Sequence, residues 1–412
     1  MNIDDYCNRI RQDEKRNSDL LHLTANEPYM SNTARSFLSS RLGDRYYFGG
    51  GDEDGVVDFQ PSTYLGLQGV QNLVTGATDA AKDMLGAAEV NLSCLSGVHA
   101  MTCAILATTN PGDTVMTVGL DHGGHFSTKP IVERMGRTHV FSSYDFDSAS
   151  FDVAKLSSVY HASGAKAFYI DASFYLGAHN LREIREVLGD DAIIIYDASH
   201  TIGLIMGGQF QNPFKEGADV ICANTHKTLP GPQKGMIAFR DQEFGTKAND
   251  IINGGLYSSP HTATVIALAI AILEMESFGE AYAQQIIKNS NALADSLADY
   301  GYDLRKANTG RYSENHQVHL LTKKLGSYRV LYQKFLQNNM SVNFSDTLGD
   351  GMFMRIGTQE ITRRGMKENE MKVIAELIYK TINGVDCRDE ALSLAAKFQH
   401  AHYSFDDMKK AA

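Results

Sequence analysis

The chain has 412 residues, with 38 Lys plus Arg against 49 Asp plus Glu, 43% hydrophobic residues, five Cys, eight Pro and no Trp. That length is enough for two or three domains around a large buried core. A net charge of −11 without any basic block argues against a phosphate-backbone binder, so nucleic acid is not an expected partner.

In chain order, residues 1–16 mix acids and bases without an apolar segment, which predicts neither a secretory signal nor a transit peptide. Residues 49–55 (Gly-Gly-Gly-Asp-Glu-Asp-Gly) read as a solvated loop, because they lack the alternating ligands and closing Glu of a calcium loop. From Glu89 short β-rich runs alternate with helical stretches, as in a mostly parallel sheet covered by helices. Strands are predicted over 114–118, 138–142, 165–170, 192–196, 219–223 and 236–239, and helices over 98–109, 126–135, 152–163 and 180–188. The expected fold class is α/β, with a large doubly wound, mostly parallel domain. Past about Glu280 a long helix leads into strands near 316–321 and 351–356 and helices near 328–338 and 367–382, which predicts a small C-terminal α+β domain. The expected division is an N-terminal arm over 1–55, a large domain over 56–280 and a small domain over 281–412. The longest apolar run, 265–273, is about half a bilayer span, so no membrane partner is expected. Cys7, Cys94, Cys103, Cys222 and Cys387 are odd in number and lack CxxC spacing, which predicts free thiols in a cytoplasmic protein rather than a disulfide framework or zinc knuckle.

Ligands of open α/β sheets gather at the carboxyl ends of strands, and four such places carry chemistry. Residues 91–99 leave a strand through Ser93, Ser96 and Gly97 into a helix start, whose free N–H groups suit phosphate or need only a Ser-Gly cap. His122 and His125 stand three apart, but no third ligand follows and glycines interrupt the helix that would align them. An imidazole stacked on a flat ring, or bonded to backbone, is expected there and no metal. The apolar run ending in Asp197 supplies an acid that either caps the next element or stays ionised against the protonated ring nitrogen of a heteroaromatic cofactor. The run from Asp219 reaches His226 and Lys227 and then Pro230-Gly231-Pro232, read as a turn that stiffens the loop. A Lys just after an apolar strand is placed for desolvation, which lowers its pKa and makes its amine a nucleophile for an aldehyde. An anion-binding helix start, a stacking His, a strand-end Asp and an aldehyde-reactive Lys together describe a pyridoxal 5′-phosphate site.

The runs Asp197-Ala-Ser-His200, Gly203-Leu204, Asn212-Pro213, Ala218-Asp219-Val220 and Thr225-His-Lys-Thr-Leu-Pro-Gly-Pro232 resemble serine hydroxymethyltransferase. So do Pro111-Gly-Asp-Thr-Val115, His122-Gly-Gly-His125 and Arg355-Ile-Gly-Thr358, and the likeness runs from Leu21 to the C-terminal helices. The resemblance implies a fold-type I pyridoxal-phosphate-dependent transferase. Lys227 would carry the cofactor covalently, Asp197 pair with its ring nitrogen, His125 stack on the ring, Ser173 reach its phenolic oxygen and His200 lie beside cofactor and substrate. Ser96, Gly97, Val98, His99 and His226 would surround the phosphate, with Asn224 among the cofactor contacts. Gly254 and Gly255 would approach the phosphate from a neighbouring subunit, which implies a homodimer, with a tetramer left open. Arg355 would clamp the substrate carboxylate through two parallel hydrogen bonds, with Asn26, Tyr46 and Tyr64 as further substrate contacts.

The departures from that family are informative. Arg45-Tyr-Tyr-Phe-Gly49 stands where hydroxymethyltransferases usually have Lys-Tyr-Ala-Glu-Gly, so the Glu used with folate is missing; Asn26, Val98, Gln233-Lys234 and residues 254–260 also differ. With Leu23-Thr-Ala-Asn-Glu27, Gly203-Leu-Ile-Met-Gly-Gly208, Thr362-Arg-Arg-Gly-Met-Lys367 and Tyr403-Ser-Phe-Asp406, the chain is similar to the L-threonine transaldolases. That subgroup implies L-threonine and an aldehyde acceptor as substrates. The Cα–Cβ bond of threonine breaks, acetaldehyde leaves, and the glycyl carbanion adds to the second aldehyde to give a β-hydroxy-α-amino acid. Tyr46, His125 and His200 are the candidate bases for the β-hydroxyl proton. Serine hydroxymethyltransferase and threonine aldolase activities are the alternatives.

Overall fold

A computed structural model describes residues 2–146, 148–346 and 352–411. Seven strands form the central sheet: β1 (Glu89–Asn91), β2 (Thr114–Val118), β3 (Thr138–Ser142), β4 (Ala165–Ile170), β5 (Ile193–Asp197), β6 (Val220–His226) and β7 (Pro230–Phe239). Their spatial order is β1-β7-β6-β5-β4-β2-β3. β7 runs against both its neighbours, while the other four pairings are parallel. Parallel strands buried on both faces need near-continuous apolar runs, and β4, β5 and β6 are such runs. Successive residues of β5 serve opposite faces: Ile194 and Tyr196 enter one apolar cluster and Ile195 the other. The α/β expectation therefore holds, with the strands where the sequence puts them to within a few residues.

Two details at the end of β6 differ from expectation. β6 continues three residues past Ala223 to His226, so Lys227 follows the strand directly. Pro230-Gly231-Pro232 is not a turn but the first part of β7, and the bend is made by residues 227–229. The prolines are tolerated because β1 pairs only with Ile237 to Phe239, leaving the start of β7 without a strand on that side.

The C-terminal part carries an antiparallel sheet of β8 (Gln317–Leu321), β9 (Asn343–Ser345) and β10 (Phe353–Gly357) in the order β8-β10-β9. Residue 351, where the third of these was expected to begin, lies outside the described residues. Leu21–His22 pairs in parallel with Met340–Ser341, and Leu21 and Leu23 join the apolar cluster of this sheet. The helix from Thr262 to Asp299 has 38 residues, starts well before Glu280 and passes without a break through the expected boundary at 280/281. Leu268 to Ile286 contribute to the apolar cluster of the large sheet, Val265, Ile266, Ala267 and Ile270 to a smaller one with Met30, Ala34, Tyr47 and Val70, and Leu293, Ala294 and Leu297 to that of the small sheet. By length and composition it could cross a membrane, but 72% of its most apolar stretch is buried inside the protein, as in a core helix.

Candidate active site

β4, β5 and β6 end side by side, and the start of helix α1 (Gly97–Thr108) faces the same corner, around a small open cavity. Gly97, Val98, His125, Ser173, Asp197, His200, Asn224 and Lys227 all line it. Eight residues proposed from sequence thus converge from five separate segments.

Lys227 is set by its bend. Thr228 Oγ1 donates to the His200 carbonyl at 2.8 Å and accepts from Gly203 N–H at 3.1 Å, tying the bend to helix α2 (Ile202–Met206). Burial pushes the Lys227 ammonium down to about 8, with Asp197 acting in the opposite direction and Arg355 adding to the fall. Its Nζ lies 3.1 Å from His200 Nε2. Burial, then the charges of Lys227 and Arg355, push His200 well below the ordinary histidine range, so this ring is neutral; its Nδ1 has no partner. Asp197 Oδ1 accepts from Ser199 N–H at 2.9 Å, and Oδ2 from the Tyr169 hydroxyl at 2.5 Å.

The anion end follows from the helix start. Ser96 is the N-cap, its Oγ accepting from His99 N–H at 3.1 Å, and Gly97 N–H donates to Asn224 Oδ1 at 3.0 Å. A Cβ at Gly97 would lie 2.2 Å from that oxygen, so any side chain there would have to displace the Asn224 amide. On the opposite wall, His125 is held through its backbone N–H by Asp171 Oδ2 at 3.1 Å and through Nδ1 by Ser127 Oγ at 2.7 Å, with its ring 4.6 Å from that of Phe126. His122 bonds the Tyr144 carbonyl at 2.8 Å, the backbone alternative foreseen for this pair.

Arg355 comes from the middle of β10. It is buried, its guanidinium carbon sits 5.0 Å from the centre of the Phe174 ring, and its Nε has no partner. Burial lowers it to about 10, and among the described residues no carboxylate pairs with it. A buried guanidinium left unpaired suits an incoming carboxylate.

Several expected residues lie outside the cavity wall. Tyr46, half exposed, and Tyr64 pack edge to face at 5.7 Å in an aromatic cluster with Phe48, Phe59 and Tyr257. Gly254 and Gly255 lie in the π-helical turn Ile252–Leu256 with open space at their Cβ positions, away from this chain's own cavity. His226 leaves Nδ1 buried without a partner, and Asn26 likewise its Oδ1. Asn26 follows Ala25, whose carbonyl meets His316 Nε2 at 3.0 Å, and the His316 ring stacks on His200 at 5.8 Å. His99 turns from the cavity to Cys94 and Cys103, their ligand atoms lying within 4.8 Å of one another, although no CxxC motif marks the trio. His99 Nδ1 already accepts from Leu95 N–H at 3.0 Å, so coordination through Nε2 would require that nitrogen to lose its proton. The hydrogen bond from Cys94, then that from His99, hold the Cys103 thiol below its usual range.

Sequence reasoning missed Tyr169, Asp171 and Phe174. Asp171 is fully buried, and burial raises it to about 7 against the hydrogen bonds from Thr128, Val118 N–H and His125 N–H. It closes β4 as Asp197 closes β5, so the strand-end rule would have found it.

This site fits pyridoxal phosphate: a lowered Lys, an acid beside it, a helix start crowded at Gly97, and unpartnered nitrogens on His200, His226 and Arg355. Residues 2–378 match the family model for serine hydroxymethyltransferase. The chain is 34% identical to the serine hydroxymethyltransferase of Methanocella arvoryzae, over 94% of this chain and 92% of that protein. It is 36% identical to the fluorothreonine transaldolase of Streptantibioticus cattleyicolor over 90% of its own length, and spans 58% of that relative. The crystal structure of an L-threonine transaldolase from Pseudomonas fluorescens, in its internal aldimine state, superposes with a TM-score of 0.88 at 29% identity, covering 98% of this chain and 94% of that one. The chain belongs to the serine hydroxymethyltransferase family, and is a pyridoxal-phosphate-dependent enzyme of that class.

Proposed function

We propose that this chain is an L-threonine transaldolase that uses pyridoxal phosphate, cleaving L-threonine to acetaldehyde and passing the glycyl unit to a second aldehyde as a β-hydroxy-α-amino acid, and that it works as a homodimer. The observation that carries the reading is Phe48. It occupies the place of the Glu that hydroxymethyltransferases use with folate, and its ring stacks on Phe59 at 4.0 Å in a segment, 45–51, without a single carboxylate. Likeness to two transaldolases supports the same reading.

The bound cofactor supplies an aldehyde for amines and a ring that withdraws electrons from the α-carbon. Lys227 holds it and is regained at the end of the cycle, its lowered pKa keeping a share of free amine near neutral pH. Asp197 keeps a proton on the ring nitrogen, and His125 covers one wall of the cavity. Arg355 binds the threonine carboxylate. Of the three candidate bases His125 and His200 line this chain's cavity, while Tyr46 packs elsewhere on the chain; His200 is neutral, buried and unpartnered at Nδ1, and is assigned the β-hydroxyl proton.

The test is to incubate the protein and pyridoxal phosphate with L-threonine and a panel of aryl and alkyl aldehydes. The expected result is acetaldehyde release together with a new β-hydroxy amino acid. Identity of about one third to several hydroxymethyltransferases favours the second reading, and serine formation that appears only with tetrahydrofolate would establish it. Glycine and acetaldehyde with no acceptor product would instead mean a threonine aldolase.

A further inference from the structure

Tyr169 stands on β4 two residues before Asp171, and the register Tyr169↔Ile195, Ile170↔Tyr196 sets Asp171 beside Asp197 at adjacent strand ends, with Tyr169 one pleat below on the same face. The phenol is fully buried and borders the cavity that Lys227 lines. Its hydroxyl donates to Asp197 Oδ2 at 2.5 Å, and Ser199 N–H donates to Oδ1 at 2.9 Å, so the carboxylate is gripped at both oxygens. Among the described residues the other hydrogen-bond contact of that hydroxyl is Cys222 Sγ at 3.4 Å, a weak acceptor, which leaves the bond to Asp197 as the phenol's main one. A bond from a hydroxyl to an ionised carboxylate is short and roughly twice as strong as one between neutral groups. Asp171 lies beside Asp197 in the same buried corner, and burial, with the Asp197 charge adding, raises the Asp171 acid to about 7. Asp171 spends its own oxygens on the amides of Val118 and His125, at 3.0 and 3.1 Å, and offers Asp197 nothing. Burial and the Asp197 charge push the Tyr169 phenol well above its ordinary range, so it remains a proton donor at all working pH values.

We infer that Tyr169 is a positioning residue for Asp197, its hydroxyl fixing the carboxylate where the ring nitrogen of the cofactor would meet it. The inference rests on the cofactor reading above. Without the hydroxyl, Asp197 keeps one protein donor beside a second carboxylate. The proton shared with the ring nitrogen then shifts toward Asp197, and the cofactor is held less tightly.

The experiment is a double-mutant cycle of Tyr169→Phe and Asp197→Asn, read by the dissociation constant of pyridoxal phosphate from the apoprotein and by the pH titration of the bound cofactor's visible absorption. Phe keeps the ring and its packing and removes only the donor. Tyr169→Phe should weaken cofactor binding by about tenfold or more and displace the absorption titration, as expected for loss of a hydrogen bond to a charged group. In the Asp197→Asn background the same change should alter binding by less than about twofold. An equal loss in both backgrounds, or a Tyr169→Phe protein indistinguishable from wild type, would overturn the assignment of Tyr169 while leaving the cofactor reading intact. Wild-type protein that takes up no pyridoxal phosphate would overturn the cofactor reading itself.

Discussion

Lys227 owes its chemistry to the place where β6 stops. One residue earlier it would sit within the strand ladder. At the strand end, burial lowers it to about 8 while Asp197 limits the fall. Only the free amine attacks an aldehyde, so uptake of pyridoxal phosphate by the apoprotein should accelerate as pH rises through about 8 and level off above it. Stopped-flow absorbance would follow this; a rate independent of pH between about 7 and 9 would contradict the lowered pKa. Lys227→Ala should abolish borohydride trapping of the cofactor, and trapping that persists at this position would disprove the attachment.

The elements around Lys227 are set by close backbone contact. Helix α2 lies so near the bend at 227–229 that a Cβ at Gly203 would come within 2.3 Å of the Thr228 carbonyl oxygen and 2.8 Å of Leu229 N. Those atoms are main chain and have no rotamer by which to escape. Gly203→Ala should therefore displace the bend, costing about 1–3 kcal/mol in stability by overpacking. It should also slow cofactor uptake by at least about tenfold, because misplacement of the reacting group by an ångström is costly. Urea denaturation and uptake kinetics on the same preparation would check both. A variant that is destabilised yet takes up cofactor at the normal rate would show that α2 does not set Lys227.

At the scale of the whole molecule, the 38-residue helix joins the two apolar cores, and one ion pair from it to Arg363 fastens the C-terminal segment. Arg363 and Glu274 are both fully buried and paired; Arg363 also donates to the Tyr403 carbonyl, and Glu274 Oε1 accepts from Phe405 N–H at 3.1 Å. Glu274→Gln would leave the guanidinium charge buried without a counter-charge. A loss of about 3–5 kcal/mol in unfolding free energy is expected, together with faster amide hydrogen exchange over residues 403–408. Unchanged exchange there would mean that the segment is held by its apolar contacts instead.

The alternation of apolar runs and polar strand ends was sufficient to locate β2 to β6, Asp197 and Lys227, because strand periodicity and desolvation at a strand end are local properties of the chain. The helix start at Gly97 was legible for the same reason. Asp171, at a strand end like Asp197, was legible by the same rule but overlooked; Tyr169 was not legible, since it lies within an apolar run where inter-strand register decides which side chains face a ligand. Tyr46 and Tyr64, grouped with the site by resemblance, pack into an aromatic cluster apart from this chain's own cavity, and Pro230-Gly231-Pro232 extends a strand because β1 is too short to reach it. By itself, then, the sequence determined the order of elements, the strand-end acid and amine, and the family. Only tertiary structure decided that Arg355 from the small sheet lies near Lys227 and His200, that Tyr169 grips Asp197, and that Asp171 holds the turn of His125. Those are contacts between residues far apart in the chain, and they depend on register and on packing between layers, which no local pattern encodes.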